Sequence, residues 1–296
     1  MANQIKKFNS KERTTIECIQ SPDEMQNHSK TLRAAGETVA LVPTMGYFHE
    51  GHLSLMHKGR AQCSRVAVSI FVNPTQFGPN EDFKTYPRDL TRDLNLAREA
   101  GVDIVFTPRA EDMYPAGFQT EISLQRLPKH LCGLSRPTHF AGVATVVTKL
   151  LNIVQPHCAI FGRKDYQQLT VIRQMVSDLN MDVTIIDAPT VREADGLAMS
   201  SRNTGLSAGQ RHSALCLYQA LLHARNMASG GVSDSGEIIA AAREIITAAP
   251  ETEIDYIAVV DPQTLDDMSQ LVGPARMALA VQVGGVRLID NMLLTP

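Results

Sequence analysis

Two histidines, His49 and His52, stand in the stretch Pro43-Thr44-Met45-Gly46-Tyr47-Phe48-His49-Glu50-Gly51-His52. An imidazole can donate to an anion, exchange a proton or hold a metal. The stretch follows the hydrophobic run Val39-Ala40-Leu41-Val42 and precedes an amphipathic one, so it reads as the junction of a strand and a helix. In an open α/β sheet, ligands bind outside the carboxyl ends of the strands, and a helix N-terminus offers unpaired N–H groups and partial positive charge. That position makes the two histidines candidates for an anion site. Gly46 lets the chain turn without a Cβ, and Gly51 lets a ligand approach the backbone. The pattern equally fits a helix cap followed by a surface residue. A metal site would need His57 as a third imidazole, but the spacing is not HExxH and no Cys pair or carboxylate completes a set.

Three further segments follow predicted strands and carry groups suited to a polyphosphate. Lys164 stands in Gly162-Arg163-Lys164-Asp165 at a helix start, where an ammonium and backbone donors can act together on phosphate oxygens. A solvated surface lysine is the plainer alternative. Asp165 has Gln168 three residues on, which is capping-box spacing, so it either caps its own helix or faces a ligand. In Leu197-Ala198-Met199-Ser200-Ser201-Arg202-Asn203, two hydroxyls and a fork-shaped cation suit a polyphosphate tail, although alone they make an ordinary polar loop. Asn73 and Gln76 are uncharged amides that can orient hydroxyls and carboxylates, while Asn-Pro is also a common turn opener. Each signal is weak alone, and their coincidence carries the weight: in a parallel sheet these loops emerge on one edge and can converge on one cleft.

The elements that would position them alternate. A strand at 16–19 is followed by a helix that begins Ser21-Pro22-Asp23-Glu24, with Ser as N-cap, and stops at Gly36. Strand 38–43, a helix over 53–63, the β-branched strand 65–72, a helix over 88–100 and strand 102–106 follow. Residues 109–139 are rich in Pro and Gly and read as irregular. A buried helix over 141–154, strand 158–161, a helix through Leu169, Ile172, Val176 and Leu179, and strand 183–186 complete a pattern that predicts a doubly wound parallel sheet. Past residue 190 the order changes to helices 208–228 and 234–247, then strands 253–260, 275–283 and 286–289, with Gly284-Gly285 as a hairpin turn. The expected organisation is a flexible N-terminal extension over 1–15, a Rossmann-like α/β ligand-binding domain over 16–189, and a smaller α+β domain over 190–296 that closes over it as a lid.

Composition narrows the classes. A chain of 296 residues, 44% hydrophobic and with interspersed charges summing to −3, is ordinary for a globular protein and offers no basic face for nucleic acid. Five widely spaced cysteines suggest reduced thiols in the cytoplasm. No apolar run approaches the roughly 18 residues of a membrane span, and the first residues read as an extension without a signal-peptide segment.

PTMGYFHEGHLSLM, SIFVNPTQFGPNEDFKTYPR, RPTHFAGVATVVTKLLNIVQP, FGRKDYQQLTVIRQMV and DGLAMSSRN closely resemble, in order, the signatures of the pantoate:β-alanine ligase family. The first motif is similar to the HIGH motif of class I aminoacyl-tRNA synthetases. The match runs from about residue 16 to 291. The resemblance implies attack of pantoate carboxylate on the ATP α-phosphorus to give pantoyl adenylate, then displacement of AMP by β-alanine. It implies that residues 45 to 52 line the ATP site, with His52 catalytic, His49 its partner on the phosphates and Lys164 a third catalytic group. Gly162 to Asp165, Val191 and Met199 to Arg202 are implied nucleotide contacts. Gln76 and Gln168 would bind pantoate, with Gln76 also near β-alanine and Asn73 alongside. ATP is expected with Mg²⁺ as co-substrate and no protein-held metal, in a cytoplasmic homodimer whose contact comes from 109–139 or 141–154. Arg163 departs from the pattern, in which a smaller or acidic residue is expected, and is read as pointing to solvent; Thr138 and Ala141 also vary. The rivals are another nucleotidyltransferase and a regulatory protein that binds ATP without turnover.

Overall fold

The computed structural model describes residues 15–79 and 81–296; the expected extension falls almost entirely outside them. The order is β1 (Glu17–Ile19), α1 (Pro22–Ala34), β2 (Val39–Thr44), α2 (Glu50–Gln62), β3 (Arg65–Ile70), α3 (Leu90–Glu99), β4 (Ile104–Phe106), α4 (Ala110–Met113), α5 (Cys132–Ser135), α6 (His139–Val154), β5 (Cys158–Gly162), α7 (Tyr166–Asp178) and β6 (Thr184–Ala188). Then come α8 (Ala208–Ser229), α9 (Ser235–Thr247), β7 (Thr252–Val260), β8 (Ala275–Val283) and β9 (Val286–Leu294).

β1 to β6 form one parallel sheet in the order β1-β4-β3-β2-β5-β6. Strand residues alternate between two cores, as a sheet covered on both faces requires. Val39, Leu41, Ala159 and Phe161 pack with α1, α6 and α7. Ala40, Val42, Val68 and Ile160 face the other way, against Met56 of α2 and Ala97 of α3. The chain leaves β2 toward β3 on one side and later returns to β5 on the other. The crevice outside their carboxyl ends is therefore the topological switch point, where ligands of such sheets bind.

β7, β8 and β9 form a separate antiparallel sheet that packs on α8 and α9 around Leu217, Leu221, Ile238, Met277 and Leu279. Gly284 and Gly285, both at positive φ, make the β8–β9 turn.

Several expectations shift. α2 begins at Glu50 rather than near Leu53, because His49 caps it and the polar residues Glu50 to His52 form its first turn. Residues 109–139 hold α4, α5 and a 3-10 turn at Leu127–Lys129. β9 runs on to Leu294, five residues beyond the apolar run that predicted it.

Candidate active site

The turn after β2 is built from its backbone. Gly46 and Tyr47 take φ of 86° and 53°, left-handed values that a glycine accepts readily and a tyrosine does not. A carboxylate compensates: Asp93 of α3, 1% exposed, accepts from Tyr47 N and Phe48 N at 2.7 Å each. Burial pushes the Asp93 pKa above the usual carboxylate value, against the pull of those two donors. Arg92 donates to Phe48 O at 2.8 Å from the same helix.

His49 and His52 close a capping box. His49 Nδ1 accepts from Gly51 N at 3.1 Å, and His52 Nδ1 accepts from His49 N at 3.3 Å, with ring centroids 4.1 Å apart. A backbone N–H cannot accept a proton, so in each neutral ring Nδ1 is the acceptor and Nε2–H the remaining donor. Burial, and next the Lys164 ammonium, lower His49 to about 4. Burial, His49 and Lys164 hold His52 well below its ordinary value. Both rings are therefore uncharged near neutrality. A Cβ on Gly51 would lie 2.8 Å from Cε1 and Nδ1 of His49, so that glycine makes room for the capping ring itself rather than for a ligand.

Beyond this turn opens a cavity of about 1810 Å³ between the two sheets, walled by Met45, Gln76, Arg136, His139, Lys164, Asp165, Gln168, Ser200, Ser201 and Arg202. His49 and His52 are not in that wall. Ser201 Oγ donates to Tyr47 O at 3.2 Å, and the Met199 side chain covers Gly51, so the 199–202 segment lies over the turn. Lys164 does line the cavity, and its positive charge helps to lower the pKa of both rings.

The remaining candidates divide. Gln76 and Gln168 reach the cavity. Asn73 does not: 1% exposed, it donates to Gly142 O at 3.1 Å and Gln76 Oε1 at 3.2 Å, and accepts from Tyr114 Oη at 2.8 Å, so it orients Gln76 from behind. Asp165 stands at the N-cap of α7 yet makes no capping bond, which removes the capping alternative. Its carboxylate lies 3.8 Å from Lys164 Nζ. Arg163 is half exposed and pairs with Asp187. Val191 carries out a backbone task, its carbonyl accepting from Met199 N at 3.0 Å. Gly162 ends β5, Glu50 opens α2, and Phe48 is buried in the core.

Four groups on the cleft, Asp82, Glu81, Arg136 and His139, escaped the sequence reading, as did the buried Asp93 behind the turn. Asp82 takes Arg202 Nε and Nη2 at 2.7 and 2.9 Å, leaving three of the five guanidinium N–H groups for a ligand. Glu81 holds Arg136 in the same way. Those arginines keep both carboxyls below their ordinary pKa, although burial opposes them. His139 Nδ1 meets Gln76 O at 2.8 Å, which makes it the donor and leaves Nε2 as acceptor; burial and Arg136 lower its pKa to about 4. Asp93 carried one signal: it shares a helical face with the buried Ala97 four residues on.

Fold and cleft together define a doubly wound α/β protein whose switch point opens on a cleft lined by Lys164, Arg136, Arg202 and two serine hydroxyls. The family model described as pantoate-beta-alanine ligase matches residues 17–293, and the chain belongs to that family. A pantothenate synthetase of Desulfatibacillum aliphaticivorans is 57% identical over 281 residues, covering 95% of this chain and 100% of that one. One from Geobacter sulfurreducens is 53% identical over 276 residues, covering 93% and 98%. Among solved structures, pantothenate synthetase from Thermus thermophilus superposes with a TM-score of 0.89 at 47% identity, covering 95% of this chain and 100% of that one. Pantoate-beta-alanine ligase from Francisella tularensis, complexed with beta-gamma ATP and beta-alanine, gives 0.78 at 35% identity, covering 94% and 98%.

Proposed function

We propose that this chain joins pantoate to β-alanine at the expense of ATP, by way of a pantoyl adenylate, releasing pyrophosphate and AMP. Pantoate carboxylate, with a pKa of about 4, is already ionised near neutrality, so adenylation needs no general base. It needs donors for the α-phosphoryl oxygens and for the departing pyrophosphate. Neutral Nε2–H groups of His52 and His49 suit the first task, because they are held without a charge that would have to be desolvated. Lys164, Ser200, Ser201 and the free N–H groups of Arg202 suit the second. Gln76 and Gln168 orient pantoate. In the second step the β-alanine amine forms a C–N bond to the acyl carbon, the C–O bond to AMP breaks, and the amine loses its proton.

ATP enters as its Mg²⁺ complex, with the ion carried on phosphate oxygens as part of the substrate. Among the described residues no group of three or more His, Cys, Asp or Glu side chains is arranged to hold a metal. We further propose a homodimer working in the cytoplasm; no helix among the described residues is long and apolar enough to cross a membrane.

The observation that carries the reading is that Lys164, from the loop after β5, and Ser200, Ser201 and Arg202 line one cavity with Met45 of the turn after β2. Pantoate-dependent exchange of labelled pyrophosphate into ATP tests it. Exchange that needs pantoate and stops without it is expected; exchange with a phosphorylated acceptor and none with pantoate would contradict the reading, as would ATP binding without pyrophosphate release.

A further inference from the structure

The turn that presents Lys164 has little local support. It is a 3-10 turn over Arg163–Asp165, its cap residue Gly162 has no side chain to bond it, and Asp165 makes no capping bond to α7. Apart from the pairing of Arg163 with Asp187 of β6, its hold comes from the other sheet. Asn291 of β9, 6% exposed, donates from Nδ2 to the carbonyl oxygens of Arg163 and Lys164, each at 2.9 Å. Its Oδ1 accepts from Arg276 Nη1 at 3.2 Å, and the Arg276 guanidinium lies 4.1 Å from the ring centroid of Tyr166, the first residue of α7.

The backbone from which Asn291 reaches is fixed as well. Asp290 Oδ1 accepts from Asn291 N at 2.7 Å, while the Asp290 carboxylate grips Arg192 at 2.5 and 2.9 Å. Both amide hydrogens and the amide oxygen of Asn291 are thus engaged. Two donors on consecutive carbonyls fix the turn in position and in orientation. Only a side-chain amide carries two hydrogens on one nitrogen beside an acceptor: an Asp here would set a carboxylate against two carbonyls, and a Leu of similar size would leave both carbonyls without a donor.

We infer that Asn291 is a positioning residue for Lys164, through which the C-terminal sheet sets the ammonium of the ATP site from across the cleft. The inference rests on the reading of Lys164 as a phosphate group and extends it. The second domain becomes part of the nucleotide site rather than a cover over it.

A double-mutant cycle on the whole chain tests this, with pantoate-dependent pyrophosphate exchange measured well below the unfolding midpoint for Asn291→Leu, Lys164→Ala and the pair. Asn291→Leu is expected to lower kcat/KM for ATP by about 10- to 100-fold, the scale of a catalytic group displaced by about 1 Å. The same change in the Lys164→Ala background should alter kcat/KM by less than about twofold, because the group through which it acts is gone. An unaltered kcat/KM in Asn291→Leu overturns the inference. So does a loss repeated in full on top of Lys164→Ala, which would make Asn291 a packing residue. Full exchange in Lys164→Ala alone would instead remove Lys164 from the phosphates, a separate failure. Should Asn291→Leu not fold, Asn291→Asp carries the same test, since it keeps the acceptor for Arg276 and loses both donors.

Discussion

The two rims of the cleft are held by different physics. The turn rim, residues 45–52, of which Met45 reaches the cavity wall, is fixed by bonds to its own backbone: a buried carboxylate on two N–H groups, and two uncharged rings that cap one helix. The arginine rim is fixed by charge pairs, with Glu81 and Asp82 of the 77–88 loop gripping Arg136 and Arg202. Bonds of the first kind are buried and indifferent to salt. Pairs of the second kind are part-exposed, screened by salt and open to competition from a ligand. Under the proposed function the contrast gives the rims different tasks: the turn would set geometry at the α-phosphorus, and the arginine rim would tune how tightly the charged tail is held.

The largest effect is expected at the turn. His52→Ala should lower the turnover of pantoate-dependent exchange by on the order of 10²- to 10³-fold, the scale of one preorganised donor, and unchanged turnover would take His52 out of the mechanism. Asp93→Asn comes next: an amide cannot accept from both N–H groups without turning its own NH₂ toward one of them. A stability loss of about 1–3 kcal/mol is expected in denaturant unfolding, with a fall in exchange; an unmoved midpoint would mean that the turn holds its left-handed residues unaided. On the other rim, Asp82→Asn should raise KM for ATP only about two- to fivefold, with the difference from wild type shrinking at high salt. A change as large as that of His52→Ala would erase the distinction between the rims.

Acid should separate the buried imidazoles from the paired carboxylates. His49 and His139 hold pKa values of about 4, against about 6.5 in an unfolded chain. As pH falls, the unfolded chain takes up protons first, so stability is full above pH 6.5 and withdrawn between 6.5 and 4. Each group withdraws at most about 1.4 kcal/mol per pH unit. Glu81 and Asp82 have depressed values, so their contribution persists above the ordinary carboxylate range and is lost only as pH falls through it. Denaturant midpoints from pH 7 to 5 should therefore decline, and His139→Gln should flatten that decline. A flat wild-type profile would contradict the buried neutral rings.

Much of the frame is legible because burial on both faces leaves a local mark. Val66 to Ile70 reads as a central strand from its β-branched run, and Ser21-Pro22 with Glu24 reads as a helix start. Legibility fails where a residue answers to something distant in the chain. The apolar run of β9 stops at Ile289 because Asp290 and Asn291 interrupt it, and both are polar for partners about a hundred residues away, Arg192 and the Lys164 turn. Asp93 reads as a solvent residue of α3 until the turn after β2 is placed against it. The start of α2 is hidden for the same reason: its first turn is polar because it carries the histidines. Departures from the local pattern cluster at the candidate site, where function outweighs propensity.

The central claim is that His49 and His52 are uncharged, backbone-fixed Nε2–H donors. Long-range ¹H–¹⁵N spectra of the imidazoles between pH 5 and 8 test it directly. Both rings are predicted to stay in the Nε2–H tautomer throughout, with ATP shifting Nε2 and leaving Nδ1 in its bond to the backbone. A ring that titrates near pH 6.5, or that carries its proton on Nδ1, would contradict the account.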